Sequence, residues 1–477
     1  MLALDLAHAA QRGWTWTGVD GVYTEDQLQY LAWIRAASEH GLISDMFVLR
    51  STPADYLQPL VAISGGLVAA GLAPWLALLV WQPVGLVAVF AGVRALVARV
   101  LPGRRERMLA LVLALFGGMA GAHPDLWLVF WSWGYPFALI ALAAALGALL
   151  AHARARERAA SPWPAALLGA LAAWLHPWQG ELLIAVVLGA ELLCRRRGQS
   201  GSVRATLLVL GATALPLVYY GALRTLDPAW QAAESYGAGG PTVGLLPWVV
   251  IPLGLPALAA YRLPAATFEQ RSLRVWPPAA VALMLLDAHL GSTATHALLG
   301  ISVPLGVLAV QGISSLRLSG AMRRWTLVAF ALLATVPVTV DRLAWSAGAA
   351  AVPGGRAIDP SQARALGFLA SRPDRGGVLS DFRLGELVPE RTGRHVYLGD
   401  QYWSQPDSRQ RWQNMFELLG GYWSAAAARD FVQDSGARFL LSDCPRHRAW
   451  LRRELAGIVA WKRSFGCVTV YGLRWRV

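Results

Sequence analysis

The chain has 477 residues, of which 56% are hydrophobic and 15% are charged. A water-soluble protein of this length does not bury so much apolar surface, so the composition argues against a soluble globular enzyme. The net charge of +13 comes from arginines in short loops between apolar blocks, which favours a membrane protein over a nucleic-acid-binding protein.

The apolar blocks predict a mainly α fold, a polytopic helical membrane bundle followed by a small extracytoplasmic α/β domain. Residues 1–56 form the predicted extracytoplasmic N-terminal segment, and residues 342–477 form the α/β domain. Between them, residues 57–341 hold about nine or ten helices. We therefore expect a multi-pass protein of the plasma or inner membrane, with its C-terminal domain outside the cytoplasm.

The N-terminal segment contains seven acids and three arginines, which is typical of an exported segment. Thr24, with Gln27 three residues later, predicts a capping box at the start of a helix that ends at His40. An apolar stripe on this helix indicates that it lies along the membrane surface and holds a loop with Asp20 and Asp26 over the mouth of the bundle. Export needs either a short tail translocated by the first helix or a further helix upstream, and the second explanation is favoured.

Short arginine-rich connections orient the bundle, because positively charged loops tend to stay in the cytoplasm. The chain must leave and return between consecutive clusters, so outer turns are expected near His123, near His176, within 227–241 and within 287–295. The five clusters that we place inside are 94–107, 154–158, 195–204, 262–274 and 317–324.

The hairpin in residues 162–193 is unusually short. About fourteen apolar residues on each side of its turn are too few for two full crossings at 1.5 Å per residue. The turn from His176 to Gly180 is therefore predicted to lie below the outer membrane surface in a cavity, because irregular backbone is not tolerated against lipid. This position favours a functional role for His176 and Glu181.

Ionisable side chains of the apolar part are predicted to segregate, with arginines inside and carboxylates and histidines outside. Acids in a membrane cavity cost about 2.5 kcal/mol or more on insertion scales, so they often mark a site. For Asp125, Glu234 and Asp287, simple loop polarity is the favoured explanation. The outer residues are Asp20, Glu25, Asp26, His123, Asp125, His176, Glu181, Asp227, Glu234, Asp287, His289 and His296.

Residues 342–477 lack an apolar run long enough to span a membrane, and they alternate helical with strand patterns. Cys444 and Cys467 flank two predicted strands, so in an oxidising compartment they are expected to form a disulfide, with two free thiols as the alternative. The predicted helices are 361–371 and 408–434, residues 384–400 are read as helix, turn and strand, and the predicted strands are 377–380, 395–398, 438–441 and 467–473.

Several of these features together resemble the GT-C superfamily of membrane glycosyltransferases, which includes protein O-mannosyltransferases and actinobacterial arabinosyl- and mannosyltransferases. The first outer loop is acidic and has the pattern Asp-Gln-x-x-Tyr from Asp26 to Tyr30. An outer Asp-Pro-Ala-Trp follows from Asp227 to Trp230, the outer hairpins are recessed, and the C-terminal α/β domain is exported.

The resemblance implies transfer of a hexosyl or pentosyl group from a polyprenyl-phosphate donor to an extracytoplasmic glycan, lipid or protein acceptor. In that superfamily an acid of the first outer loop is the general base, and Asp26 matches it first and Asp20 second. A cation should stabilise the leaving phosphate. Arg342, just beyond the last predicted span at 325–340, is the first candidate, and Arg224 is the second.

The remaining outer residues gain roles in holding the sugar or the phosphate, although a simpler role as a helix end or an interface residue competes for each. Their residue types also suit a divalent metal, but no spacing is tight enough to assign one. Membrane lipids are the other expected partners, and no nucleic acid is expected. The predicted substrate-binding residues are His176, Trp178, Gln179, Glu181, Asp227, His296 and Arg342.

Two other classes of function compete with the enzyme: a transporter or flippase with a polar outer vestibule, and a non-enzymatic partner in a cell-envelope complex. A transporter normally has binding groups near the membrane midplane and often two related halves. The sequence shows no acids at the midplane and no halves, which favours the enzyme.

Overall fold

The structure is a computed structural model of the chain, and helices dominate it. Five helical segments of the described residues are long and apolar enough to cross a membrane: Pro74–Val100, Pro136–Glu157, Pro177–Arg195, Val203–Leu226 and Gly320–Gly348. The predicted fold class, a polytopic helical protein with a small α/β part, is confirmed. The described residues are 2–21, 23–120, 126–132, 134–158, 160–199, 201–237, 244, 246–290, 293–350, 355–444 and 448–474.

The chain folds into two compact units. The first, which we call the mixed unit, combines Met1–Val80, Leu223–Tyr236 and Ala347–Val477, so both ends of the chain belong to it. The second, the helical unit, combines Trp81–Ala222 and Gly237–Ser346.

Every predicted arginine cluster lies at the end of a helix or spans the connection between two helices. In the short hairpin, the helix before His176 has 13 residues and is as short as the sequence indicates. The helix after His176 has 19 residues and is longer than predicted. A π-helical stretch, Val250–Gly254, and a 3₁₀ stretch, Ala294–Leu298, interrupt the later helices. The helices are α5 Trp81–Val100, α6 Arg104–Phe116, α7 Leu128–Trp131, α8 Pro136–Arg158, α9 Trp163–Leu175, α10 Pro177–Arg195, α11 Val203–Leu226, α12 Pro228–Gly237, α13 Leu246–Val249, α14 Leu255–Ala260, α15 Phe268–Leu290, α16 Ser302–Ser314 and α17 Gly320–Ala350.

The predicted segregation of charges is incomplete, because acids also lie among the arginines of the helical unit. Glu191 is buried, lies 2.8 Å from Nε2 of His152 and accepts a hydrogen bond from Arg156. Arg99 pairs with two further acids, Glu157 and Glu269. The carboxylates of Glu191 and Glu269 are buried, and their ion pairs satisfy charges that would otherwise be costly inside the protein.

The N-terminal part of the mixed unit consists of α1 Leu2–Arg12, β1 Thr15–Trp16, α2 Thr24–His40, α3 Pro59–Ala69 and α4 Pro74–Leu79. Helix α2 has the predicted bounds, but its predicted capping box is wrong: the N-cap is Tyr23, which makes no side-chain cap. Its apolar stripe, which the sequence assigned to the membrane surface, faces protein instead. The stripe of Leu28, Leu31, Trp33, Ile34 and Ala37 is buried, because α2 packs against other helices of its own unit.

The C-terminal part contains a four-stranded sheet of order β3-β4-β6-β5, in which only β3 and β4 are parallel. The predicted strand at 395–398 is reduced to one bridge between Val396 and Val378, and the predicted helix at 408–434 is broken at Gly421, whose φ is 78°. Strand β5 was missed because this edge strand is largely exposed and lacks an apolar run. The elements are β2 Ala357–Ile358, which pairs with β1, then α18 Pro360–Ser371, β3 Val378–Ser380, α19 Phe382–Thr392, α20 Ser408–Gly420, α21 Ala425–Asp434, β4 Phe439–Ser442, α22 Arg448–Glu454, β5 Val459–Phe465 and β6 Val468–Leu473.

Candidate functional site

The loop before α2 is held in place by Gln27. This side chain is buried, and its Oε1 accepts a hydrogen bond from the backbone N–H of Asp20 at 3.0 Å. Its Nε2 donates to the carbonyl oxygens of Asp20 and Tyr23. Gln27 therefore fixes the backbone of the acidic loop, whereas the sequence predicted it as a helix cap. Asp26 lies half-buried in the first turn of α2.

The carboxyl group of Asp20 belongs to a buried network with Asp5 and Arg356. Nη1 of Arg356 donates to Oδ1 of Asp5 at 3.2 Å, and Nη2 donates to the carbonyl oxygen of Gly21. Burial raises the pKa of Asp5 to about 6, with the Arg356 charge opposing and Asp20 adding to the rise. No local pattern in the sequence connects Asp5 with Arg356, because they are hundreds of residues apart.

The mixed unit contains further buried acids whose charges influence one another. Burial raises the pKa of Asp45 to about 7, and the charges of Asp400 and Asp227 add to this rise. Burial likewise raises the pKa of Asp400 to about 6 and that of Glu386 to about 9, with Glu25 contributing to both. Near neutral pH, such a set contains protonated and ionised carboxyls together, which suits proton transfer and hydrogen bonding to hydroxyl groups.

The carboxylate of Asp227 is anchored by a backbone group. Its Oδ1 accepts a hydrogen bond from the N–H of Ala229 at 2.8 Å at the start of α12.

The mixed unit also contains a cluster of four aromatic rings. They contact one another edge to face with centroid distances of 4.7–5.3 Å. Of these rings, only the one at position 230 belongs to a motif recognised in the sequence. The four are Trp33, Tyr56, Trp230 and Trp403.

In the helical unit, the turn between α9 and α10 brings together two predicted histidines. The ring of His176 stacks on that of His296 with centroids 5.3 Å apart, and Trp178 meets His296 edge-on at 4.6 Å. Trp131 contacts both imidazoles, at 5.8 and 5.2 Å. His176 is 3% exposed, and neither of its ring nitrogens has a hydrogen-bond partner within the described part of the chain.

Two neighbouring predicted residues lie on α10. Gln179 is buried, and its Nε2 donates to the carbonyl oxygen of Leu299 at 3.1 Å, which ties the turn to the chain just before α16. Glu181 lies half-buried on the same helix. Three of the four rings in this cluster, His176, Trp178 and His296, were predicted, and Trp131 was missed because nothing in the sequence separates it from other tryptophans.

Arg342 lies inside α17, which continues to Ala350, and not beyond the end of the last span as the sequence indicated. It is 1% exposed, and its guanidinium carbon lies 5.2 Å from the ring centroid of Phe130 and 5.9 Å from that of Trp345. The second cation candidate, Arg224, instead pairs with Glu234 at 2.8 Å.

Some predicted outer residues lie outside the part of the chain that the structure describes. These are His123 and Asp125, and the side chains of Asp287 and His289.

Among the residues that are described, no three His, Cys, Asp or Glu side chains are arranged to hold a metal ion. Cys444 and Cys467 form a disulfide, and Cys194 is buried with a free thiol.

No protein-family model and no curated protein matches this sequence. Solved structures do match. The oligosaccharyltransferase AglB from Archaeoglobus fulgidus, solved with an inhibitory peptide and a dolichol-phosphate, has a TM-score of 0.54 and 15% identity over 94% of this chain and 70% of that one. A structure of the A. fulgidus oligosaccharyltransferase with Zn and sulfate has a TM-score of 0.57 and 16% identity over 90% of this chain and 65% of that one.

ArnT from Cupriavidus metallidurans, solved with undecaprenyl phosphate, matches with a TM-score of 0.56 and 14% identity over 98% of this chain and 96% of that one. The chain has the GT-C fold. It spans about two thirds of the archaeal protein and nearly all of ArnT. The resemblance predicted from the sequence is confirmed at the level of the fold, while the activity needs its own argument because one fold hosts many functions.

Proposed function

We propose that this protein is a membrane glycosyltransferase that moves a sugar from a polyprenyl-phosphate donor to an extracytoplasmic glycan, lipid or protein acceptor. The observation that carries the proposal is the fold match over 98% of the chain to ArnT, a protein solved with undecaprenyl phosphate. Buried acids in the mixed unit and a histidine cluster in the helical unit supply the two kinds of chemistry that such a transfer needs.

The acceptor hydroxyl must lose a proton as it attacks the sugar, so a carboxylate is needed as general base. Asp26 is our first candidate, because it begins the Asp-Gln-x-x-Tyr pattern that resembles the first outer loop of GT-C enzymes. Asp20 remains the second candidate. Asp227, with its carboxylate anchored at the start of α12, is assigned to holding the sugar or the acceptor.

Sugar transfer leaves negative charge on the departing phosphate, which a preorganised cation or hydrogen-bond donor stabilises. Arg342 is assigned to this role because its guanidinium group lies between two aromatic rings. His176 and His296 can donate hydrogen bonds to phosphate oxygens, and Trp178 offers a ring to the sugar. Gln179 and Glu181 complete the proposed donor site on α10.

The experiment compares donor turnover by the purified wild type and by Asp26→Asn, Asp20→Asn and Arg342→Gln in nanodiscs. Asp26→Asn should reduce turnover by about a hundredfold or more, since general-base catalysis contributes on the order of 10²–10⁴. Asp434→Asn, a change at the end of α21 far along the chain from every proposed residue, is the matched control. Equal turnover by Asp26→Asn and the control would remove Asp26 from the catalytic role.

A transporter or a non-enzymatic envelope partner predicts a different pattern from the same samples. Such a protein would keep its fold and bind lipid, but it would release no polyprenyl phosphate from any donor. The plasma or inner membrane location, with the α/β part of the mixed unit outside the cytoplasm, belongs to the same proposal. It is tested by whether that part is digested by protease in spheroplasts.

A further inference from the structure

A cleft of about 440 Å³ lies at the carboxyl ends of the two parallel strands β3 and β4. Asp381 directly follows β3 and Asp443 directly follows β4, and both line the cleft. Sheets with parallel strands commonly bind ligands at this edge. The volume also falls within the range of about 300–1,000 Å³ that is typical of small-molecule sites.

One wall of the cleft is a row of three aromatic rings contributed by α20 and the turn after it. Trp412 and Phe416 stack with centroids 5.5 Å apart and planes 9° apart, and Phe416 and Tyr422 stack at 5.5 Å and 22°. The three side chains are 52%, 53% and 67% exposed. Gly420 allows this row, because a Cβ atom there would lie 2.5 Å from the ring of Tyr422. A contiguous exposed aromatic patch of this kind marks a binding surface.

The polar side of the cleft contains an acceptor atom that is not used by the fold. Oδ1 of Asp381 accepts a hydrogen bond from the N–H of Leu384 at 3.1 Å and so caps α19. Its Oδ2 is buried and accepts no hydrogen bond from any described residue. Asp443 is held in place, because Nε2 of Gln362 donates to both of its oxygens at 2.9 Å.

We propose that this cleft binds a saccharide, with a sugar face on the aromatic row and a sugar hydroxyl donating to Asp381. Aromatic rings suit the C–H faces of sugars, and carboxylate oxygens accept hydrogen bonds from hydroxyl groups. The two carboxylates disfavour phosphate and anionic lipid headgroups, so a neutral, hydroxyl-rich ligand fits best. A role of the cleft in docking a glycan acceptor rests on the proposed function, whereas the binding of a saccharide to the cleft does not.

The test measures binding of soluble neutral tetrasaccharides of mannose, galactose, glucose and arabinose to the full chain in nanodiscs, without any donor lipid. Saturation-transfer NMR identifies the sugar that binds, and tryptophan fluorescence titration gives its Kd. Trp412→Ala and Asp381→Asn should each weaken binding by about tenfold or more, which corresponds to about 1.4 kcal/mol. Asp381→Asn keeps the helix cap, because asparagine caps helices as well as aspartate does.

Gln413→Ala is the matched control, because Gln413 is exposed on the same helix and does not line the cleft. Binding that this control leaves unchanged and the two cleft variants weaken supports the proposal. Absence of binding by every tetrasaccharide, equal binding by all variants, or capture of an arginine-rich peptide in place of sugars would overturn it. Since no donor is present, failure here is distinct from failure of the transfer assay.

Discussion

Removal of the Cys444–Cys467 disulfide is expected to destabilise the mixed unit strongly. The two cysteines continue the antiparallel register of β4 and β6 two positions beyond the paired Ser442 and Thr469, with a Cα–Cα distance of 4.6 Å. The bond closes a loop with a sequence separation of 23 residues. The chain-entropy relation gives about 3 kcal/mol for a loop of this size.

The double variant Cys444→Ser/Cys467→Ser should therefore unfold about 10 °C below the wild type, which is the shift expected for about 3 kcal/mol in a domain of about 200 residues. Thermal unfolding in nanodiscs, followed by tryptophan fluorescence, measures the shift. Cys194→Ser serves as the control, because this buried thiol is free. Reaction of both thiols with maleimide in non-reduced folded protein, or an unchanged Tm in the double variant, would refute the reasoning.

Three further predictions concern buried polar groups. Glu191→Gln should lower the free energy of unfolding by about 3–5 kcal/mol, because it leaves buried His152 and Arg156 without their carboxylate. Glu157→Gln should lower it by only about 0–1 kcal/mol, because the side chain of Glu157 is 42% exposed in its pair with Arg99. Comparable Tm values for the two variants would contradict this expectation. The raised pKa of Glu386, about 9, means that the folded state keeps a proton that the unfolded state, with an ordinary pKa near 4.5, has lost. Stability should therefore fall as pH rises between about pH 5 and about pH 8, and Glu386→Gln should flatten this fall in a Tm series; an identical slope would count against it. Gln27→Glu cannot donate to the carbonyls of Asp20 and Tyr23 and buries a carboxyl group against them, so sugar transfer should slow by about tenfold or more and Tm should fall. Equal transfer rates for Gln27→Glu and wild type would exclude this positioning role.

The sequence predicted those parts of the fold that follow from local patterns. Long apolar blocks and arginine clusters located the helices and their connections, and helix α2 was predicted with the bounds Thr24–His40. Strand β5 was missed, because an exposed edge strand carries no apolar run. The burial of α2 was missed because the apolar stripe that suits a membrane surface also suits packing against protein helices.

The candidate site divides in the same way. His176, Trp178 and His296 were predicted from their outer positions, and the structure brings their rings together. The partners of Asp20 were not predictable, because Arg356 and Asp5 meet only through the pairing of β1 with β2. Nor could the sequence locate the aromatic row. Trp412 and Phe416 are four residues apart, as neighbours on a helix face are, but Tyr422 follows the end of α20 and fits no helical or strand period with them.

The most direct test of the proposed function is release of free polyprenyl phosphate from labelled polyprenyl-phosphate sugars by the purified wild type in nanodiscs. A panel of hexosyl and pentosyl donors, with and without a glycan acceptor, covers the sugar classes of the proposed function. We expect release with at least one donor, accompanied by label in the acceptor. A folded protein that binds these donors yet releases polyprenyl phosphate from none of them would contradict the proposed function.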